Sequence, residues 1–206
     1  MHCGKWQVAS GEVTIHPYKK RMLELMKDKT SKFLTNCFIY DNQIAEILKS
    51  NPHSCINLSI DAGTAETWHK VKGVNNFRNV LENLSKYSNS CISPEQITLK
   101  YIILPGINDN KNDYQGVIDI MKKLKIKSLI ISRDNRFKIE KMILSQSIVR
   151  KKKNAVEQYS SVDHATGYLA AMLIKNGLKA EDGTFWPDEY ERANRLAAEL
   201  LQAGEI

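Results

Sequence analysis

Between Trp6 and about Ser132 short apolar runs alternate along this chain with amphipathic stretches. Short runs at positions 6–9, 32–34, 55–60, 97–104 and 128–132 are rich in Ile, Val, Leu and Tyr and stop at turn-forming residues, so they read as strands. Between the runs, apolar residues recur every three or four positions. Tyr18, Met22, Leu25 and Met26 form one such stripe, and Ile44, Ile47 and Leu48 a second. Phe77, Val80, Leu81, Leu84 and Tyr87 form a third, and Val117, Ile118, Met121 and Leu124 a fourth. This spacing predicts amphipathic helices. Pro17 suits a first helical turn, Asp41 and Thr64 suit N-caps, and Asp109 or Asn110 leads into the fourth stripe. Asn51-Pro52 and Gly73 are stops.

Strands that alternate with helices of this length imply right-handed βαβ units, because each crossover must return the chain to start the next strand in the same direction. The expected fold class is therefore α/β with a parallel sheet. From about Phe137 onward no run reads as a strand. Two helices are expected there, at 162–176 and 190–202, joined by a turn-rich stretch and closed by Gly204. The expected organisation is an α/β unit over residues 1–136 and a helical extension over 137–206.

A chain of 206 residues with 42% hydrophobic and 26% charged side chains can bury a core, which excludes disorder, collagen and coiled coil. Its apolar runs fall far short of a membrane span and no targeting segment is recognised, so the expectation is a cytoplasmic protein without membrane contact. Lys and Arg exceed Asp and Glu by 30 to 23, a modest excess that favours anionic ligands. Part of it is the run Arg150, Lys151, Lys152 and Lys153. No aromatic residues interleave with that run, so it reads as a solvated face rather than a nucleic-acid surface. The cysteines Cys3, Cys37, Cys55 and Cys91 show no metal-ligand spacing, and neither do the histidines.

In parallel α/β folds ligands bind where the strands end, because loops and helix N-termini converge there. The residues at those ends are Ser10, Gly11 and Glu12, then Thr35 and Asn36, then Ser59 and Asp61, then Lys100 with the loop at 105–109, then Arg133 and Asp134. Glu12 after Gly11 could meet a ligand ammonium or remain a turn carboxylate. Ser59 and Asp61 occupy alternate positions and would share a face, either toward a ligand hydroxyl or, for Asp61, as a helix cap. Lys100 in an apolar strand lines a polar cavity or reaches the strand end, since an unpaired buried ammonium is costly. Arg133 could clamp a ligand or form an ion pair. His16 reads as a turn residue, and no nucleophile triad, phosphate loop or dinucleotide fingerprint is present.

At these strand ends the chain resembles the radical S-adenosylmethionine (radical SAM) enzymes. Ala9-Ser10-Gly11-Glu12 resembles the family's Gly-Gly-Glu-Pro motif, Thr35-Asn36-Cys37 its Thr-Asn-Gly segment, and the stretch from Ile56 to Gly63 its fourth strand. The stretch ending Leu104-Pro105-Gly106-Ile107-Asn108-Asp109 resembles the fifth strand and loop, and Leu129 to Asp134 the sixth. The resemblance implies a partial (β/α) barrel and a reductive cleavage of S-adenosylmethionine that yields a 5'-deoxyadenosyl radical. It implies that Glu12 receives the methionyl amino group with Gly11 beside it at the cofactor, that Ser59 and Asp61 lie near the ribose, and that Asn36, Lys100 and Arg133 line the cavity.

The family's first strand, with a Cys-x-x-x-Cys-x-x-Cys triad that holds a 4Fe-4S cluster, has no counterpart in this sequence. The expectation is therefore the C-terminal portion of a radical SAM enzyme, inactive alone, with a cluster only if an upstream segment supplies it. The alternative is a non-catalytic α/β module that binds a nucleoside-like ligand or a protein partner. The substrate is not legible.

Overall fold

All five apolar runs form strands, and a sixth strand follows them. The computed structural model describes residues 6–8, 12–134, 161–183 and 187–206. Its strands are β1 (Trp6–Val8), β2 (Ser31–Thr35), β3 (Cys55–Ser59), β4 (Ile97–Ile103), β5 (Ser128–Arg133) and β6 (Lys179–Asp182), all parallel and arranged side by side in chain order. The helices are α1 (Lys19–Met26), α2 (Asn42–Ser50), α3 (Ala65–Lys72), α4 (Phe77–Ser90), α5 (Lys111–Lys123), α6 (Ser161–Lys175) and α7 (Pro187–Ala203). The fold class is the expected one, an α/β partial barrel.

Sequential strand order has a direct consequence. Right-handed crossovers that always step the same way lay every helix on one face of the sheet and leave the other face without a helical layer. Burial along the strands follows this. Phe33, Ile56, Leu58, Leu99, Tyr101 and Leu129 are wholly buried on the helix side. Lys32, Leu34, Asn57, Ser59, Lys100 and Ile130 alternate with them and are only half-buried. A parallel sheet is ordinarily apolar on both faces; here the concave face is mixed and polar.

Helix ends follow the local chemistry. Asp41 Oδ1 accepts from the Gln43 and Ile44 N–H groups at 2.9 and 3.3 Å, and Thr64 Oγ1 from Thr67 N–H at 3.2 Å. Of the two residues expected to open α5, Asn110 does so, its Oδ1 accepting from Asp113 N–H at 3.1 Å. Gly73 stops α3 with a φ of 73°. Pro17 departs from expectation: it lies in the turn before α1, whose N-cap is Tyr18.

One reading of the C-terminal region is corrected. Residues 177–187 were expected to be a turn-rich connection, yet Lys179–Asp182 is a strand that pairs with β5 from Ser128↔Lys179 to Ile131↔Asp182. Its sequence, Lys-Ala-Glu-Asp, has no β-branched residue, and the neighbouring strand rather than propensity makes it extended. A short, charged strand suits the sheet edge. The expected helices form on either side of it, as α6 and α7. The basic run Arg150 to Lys153 lies outside the described residues, as do Cys3, Ser10 and Gly11. Among the described residues no helix is long and apolar enough to cross a membrane.

Candidate ligand-binding site

The concave face holds a cavity of about 480 Å³ near the carboxyl ends of the strands. Each strand from β2 to β5 contributes to it by alternation: Lys32 and Leu34, Asn57 and Ser59, Lys100, and Ile130. Glu12, Thr35 and Asn36 form its rim, and Gly183 after β6 its far side. The volume lies within the range of small-molecule sites.

Glu12 is fixed by the end of β2. Its Oε1 accepts from Thr35 Oγ1 at 2.8 Å, from Thr14 Oγ1 at 2.8 Å and from Thr14 N–H at 3.3 Å, while Oε2 accepts from Asn36 N–H at 2.6 Å. A carboxylate offers about four lone-pair sites across its two oxygens, so Oε2, with one donor, retains an acceptor position. Asn36 turns its Oδ1 to Phe38 N–H at 2.9 Å. That leaves the Asn36 amide N–H groups as donors at the rim. Next to this pair lies Cys37, wholly buried with a φ of 58°. Burial, with the Glu12 charge adding to it, pushes its thiol far above the ordinary range.

Four of the residues singled out from the sequence, Glu12, Asn36, Ser59 and Lys100, meet in this cavity. Gly11 lies outside the described residues. Asp61 does not line the cavity, and the expectation that it shares a face with Ser59 is corrected. β3 ends at Ser59 and Asp61 takes a φ of 44°, which breaks the alternation. Its Oδ1 accepts from Ile102 N–H at 2.7 Å and its Oδ2 pairs with Lys72 Nζ at 2.7 Å. β4 outruns β3, so Ile102 N–H has lost its strand partner, and the Asp61 carboxylate takes that place. Nor does Arg133 line the cavity: its guanidinium is buried against Asp163 and, at 3.5 Å, Glu189.

Thr35, named with Asn36 among the strand-end residues, also lines the cavity, whereas Lys32 and Asn57 were not singled out beforehand. The signal was present in the period of two: Lys32 shares a strand face with Leu34, and Asn57 with Ser59. Behind the site, Asp113 ties the start of α3 and the loop before it to α5. It accepts from the Gly63 and Thr64 N–H groups at 2.9 and 3.2 Å and from Thr67 Oγ1 at 2.7 Å.

The iron-sulfur cluster implied by the resemblance does not fit the described residues. Among them no group of three or more His, Cys, Asp or Glu side chains gathers as a metal site would require. Cys37, Cys55 and Cys91 are free thiols. Burial pushes the Cys91 thiol up to about 11.

The backbone as a whole matches solved structures. SuiB of Streptococcus suis bound to S-adenosylmethionine superposes with a TM-score of 0.62 at 11% identity, over 91% of this chain and 41% of that chain. SuiB bound to its precursor peptide SuiA gives 0.63 at 12%, over 93% and 40%. A domain of a pyruvate-formate lyase-activating enzyme from Bacteroides vulgatus gives 0.59 at 13%, over 88% and 99%. The fold is that of the radical SAM enzymes. No family model and no curated protein matches the sequence, so the likeness is one of fold. The chain spans about two fifths of SuiB's length, 41% in the S-adenosylmethionine complex.

Proposed function

We propose that the concave cavity binds S-adenosylmethionine and that this chain is the ligand-binding, C-terminal portion of a radical SAM enzyme. The observation that carries the reading is the Glu12 carboxylate, held rigidly at the cavity rim with an acceptor position left on Oε2. An α-ammonium group is the complement of that position, since charge-assisted hydrogen bonds are the stronger kind. The Asn36 amide would donate to the ligand carboxylate, and the Ser59 hydroxyl would meet a ribose hydroxyl one strand away. The S-adenosylmethionine complex of SuiB supports the same ligand on the same fold.

When bound, the sulfonium supplies a carbon–sulfur bond whose reductive cleavage gives a 5'-deoxyadenosyl radical. The described residues bind and orient that ligand; no electron-delivering step is assigned to them, because they do not gather the thiolates of a cluster. A second reading, a non-catalytic module for a nucleoside-like ligand, is favoured by that same lack of a thiolate set among the described residues.

Titration calorimetry with S-adenosylmethionine tests the binding claim. Glu12→Gln should weaken binding by about tenfold or more, the worth of one charge-assisted hydrogen bond. No binding at millimolar ligand, or an unchanged affinity in Glu12→Gln, overturns the proposal. The purified chain with a chemical reductant should release no 5'-deoxyadenosine; release would overturn the claim that it is inactive alone.

A further inference from the structure

The charges inside the cavity do not compensate one another. Lys32 and Lys100 both line it, and neither ammonium has a carboxylate within ion-pairing distance among the described residues. Among the described residues one carboxylate lines it, Glu12, so two ammonium groups face a single negative charge and the lining stays positive. Further along the same face Lys179 and Glu181 pair with each other at 3.0 Å and add no net charge. S-adenosylmethionine does not correct the surplus, because its ammonium and sulfonium outweigh its carboxylate. Uncompensated charge in a half-buried, low-dielectric cleft is costly, and field lines focused there attract the opposite sign.

Resting on the binding reading above, we propose that the second molecule in this cavity, the substrate, is an anion. Its carboxylate or phosphate groups meet Lys32 and Lys100, with the Asn57 side chain between the two lysines as a polar partner. The register gives the arrangement: Ser59 lies beside Lys100, Asn57 beside Leu34, and Lys32 beside Cys55. Lys32 precedes by three positions Thr35, which holds Glu12. At about 3.3 Å per residue, the Lys32 backbone lies roughly 10 Å along the strand from Thr35. The two lysines therefore offer the substrate one cationic contact deep in the cavity and one near the strand ends.

The test is calorimetry on the full chain at low salt with two probes, inorganic pyrophosphate for a phosphate source and tricarballylate for a carboxylate source, each with and without S-adenosylmethionine. At least one probe should bind, and which one does identifies the anion class. Lys32→Met and Lys100→Met should each weaken it by about tenfold, the loss of one charged hydrogen bond. Lys125→Met, in the loop before β5 at the opposite rim, should leave it within about twofold, as a distant surface charge does. Failure of both probes to bind, or equal weakening by Lys125→Met, overturns the proposal. S-adenosylmethionine binding without probe binding refutes this inference alone; probe binding without S-adenosylmethionine binding refutes the cofactor reading and leaves the anion site standing.

Discussion

Glu12 Oε2 accepts the main-chain N–H of Asn36 at 2.6 Å, which ties the loop after β1 to the end of β2. The same carboxylate takes the Thr35 hydroxyl at 2.8 Å. It thus closes the rim of the cavity as well as facing it. In Glu12→Gln the amide nitrogen would set N–H against N–H or give up the Thr donors. The variant should lose about 1–3 kcal/mol of stability, the cost of an unsatisfied partly buried donor. Urea midpoints read this, and an unchanged midpoint would show that the four donors find water instead.

Asp61 separates a structural role from a binding role. Asp61→Asn keeps one acceptor for Ile102 N–H but leaves the Lys72 ammonium, 23% exposed, without its counter-charge. Stability should fall by roughly 1–3 kcal/mol, less than for a fully buried pair because Lys72 can reach water. Affinity for S-adenosylmethionine should change by less than about threefold, below the cost of a single lost hydrogen bond. A stable Asp61→Asn variant with tenfold weaker binding would return Asp61 to the ligand.

Much of this architecture is legible in the sequence wherever the cause is local. Short apolar runs that stop at turn residues give five strands, and the side chains of Asp41, Thr64 and Asn110 open helices because each bonds a nearby N–H. Glu12, Asn36, Ser59 and Lys100 could be found because ligands gather at strand ends. What escaped depends on distant partners. β6 is extended because β5 lies beside it. Arg133 is a buried ion-pair residue because Asp163 and Glu189 arrive from helices far along the chain. Asp61 was misplaced by carrying the strand period two residues past Ser59, where the positive φ turns the side chain away. Lys32 and Asn57 lie deeper along the strands than the ends that were searched.

The loop between β3 and α3 packs tightly against α5 at Gly63. A Cβ on Gly63 would overlap the Asp113 carbonyl, and one on Gly116 the Gly63 carbonyl, so the two glycines let backbone pack on backbone. Gly116→Ala should therefore destabilise by about 1–3 kcal/mol or more, although alanine favours an isolated helix. Thermal or urea unfolding would read it. A more stable Gly116→Ala variant would show that α5 can lift away from the Gly63 loop without loss.

High pH should unfold this protein from within. Burial pushes the phenols of Tyr87, Tyr101 and Tyr114 well above their ordinary range, along with the Cys37 thiol, and the Cys91 thiol up to about 11. Each group is neutral when protonated, so a raised native pKa means that the unfolded chain releases the proton first. Below about pH 8.5 both states hold their protons and the stability these groups contribute is intact. Above that, unfolded thiols ionise, and from about pH 10 unfolded phenols follow, each drawing the equilibrium toward the unfolded state by up to about 1.4 kcal/mol per pH unit. Guanidinium midpoints should therefore fall steadily from pH 9 to 11. Of the 8 tyrosines, these three should ionise only together with loss of the circular dichroism signal, as a late step in absorbance at the phenolate band. If every tyrosine titrates reversibly near its ordinary value while the secondary structure persists, the aromatic packing of Tyr101 against Tyr114 is open to water and the core described here is wrong at that point.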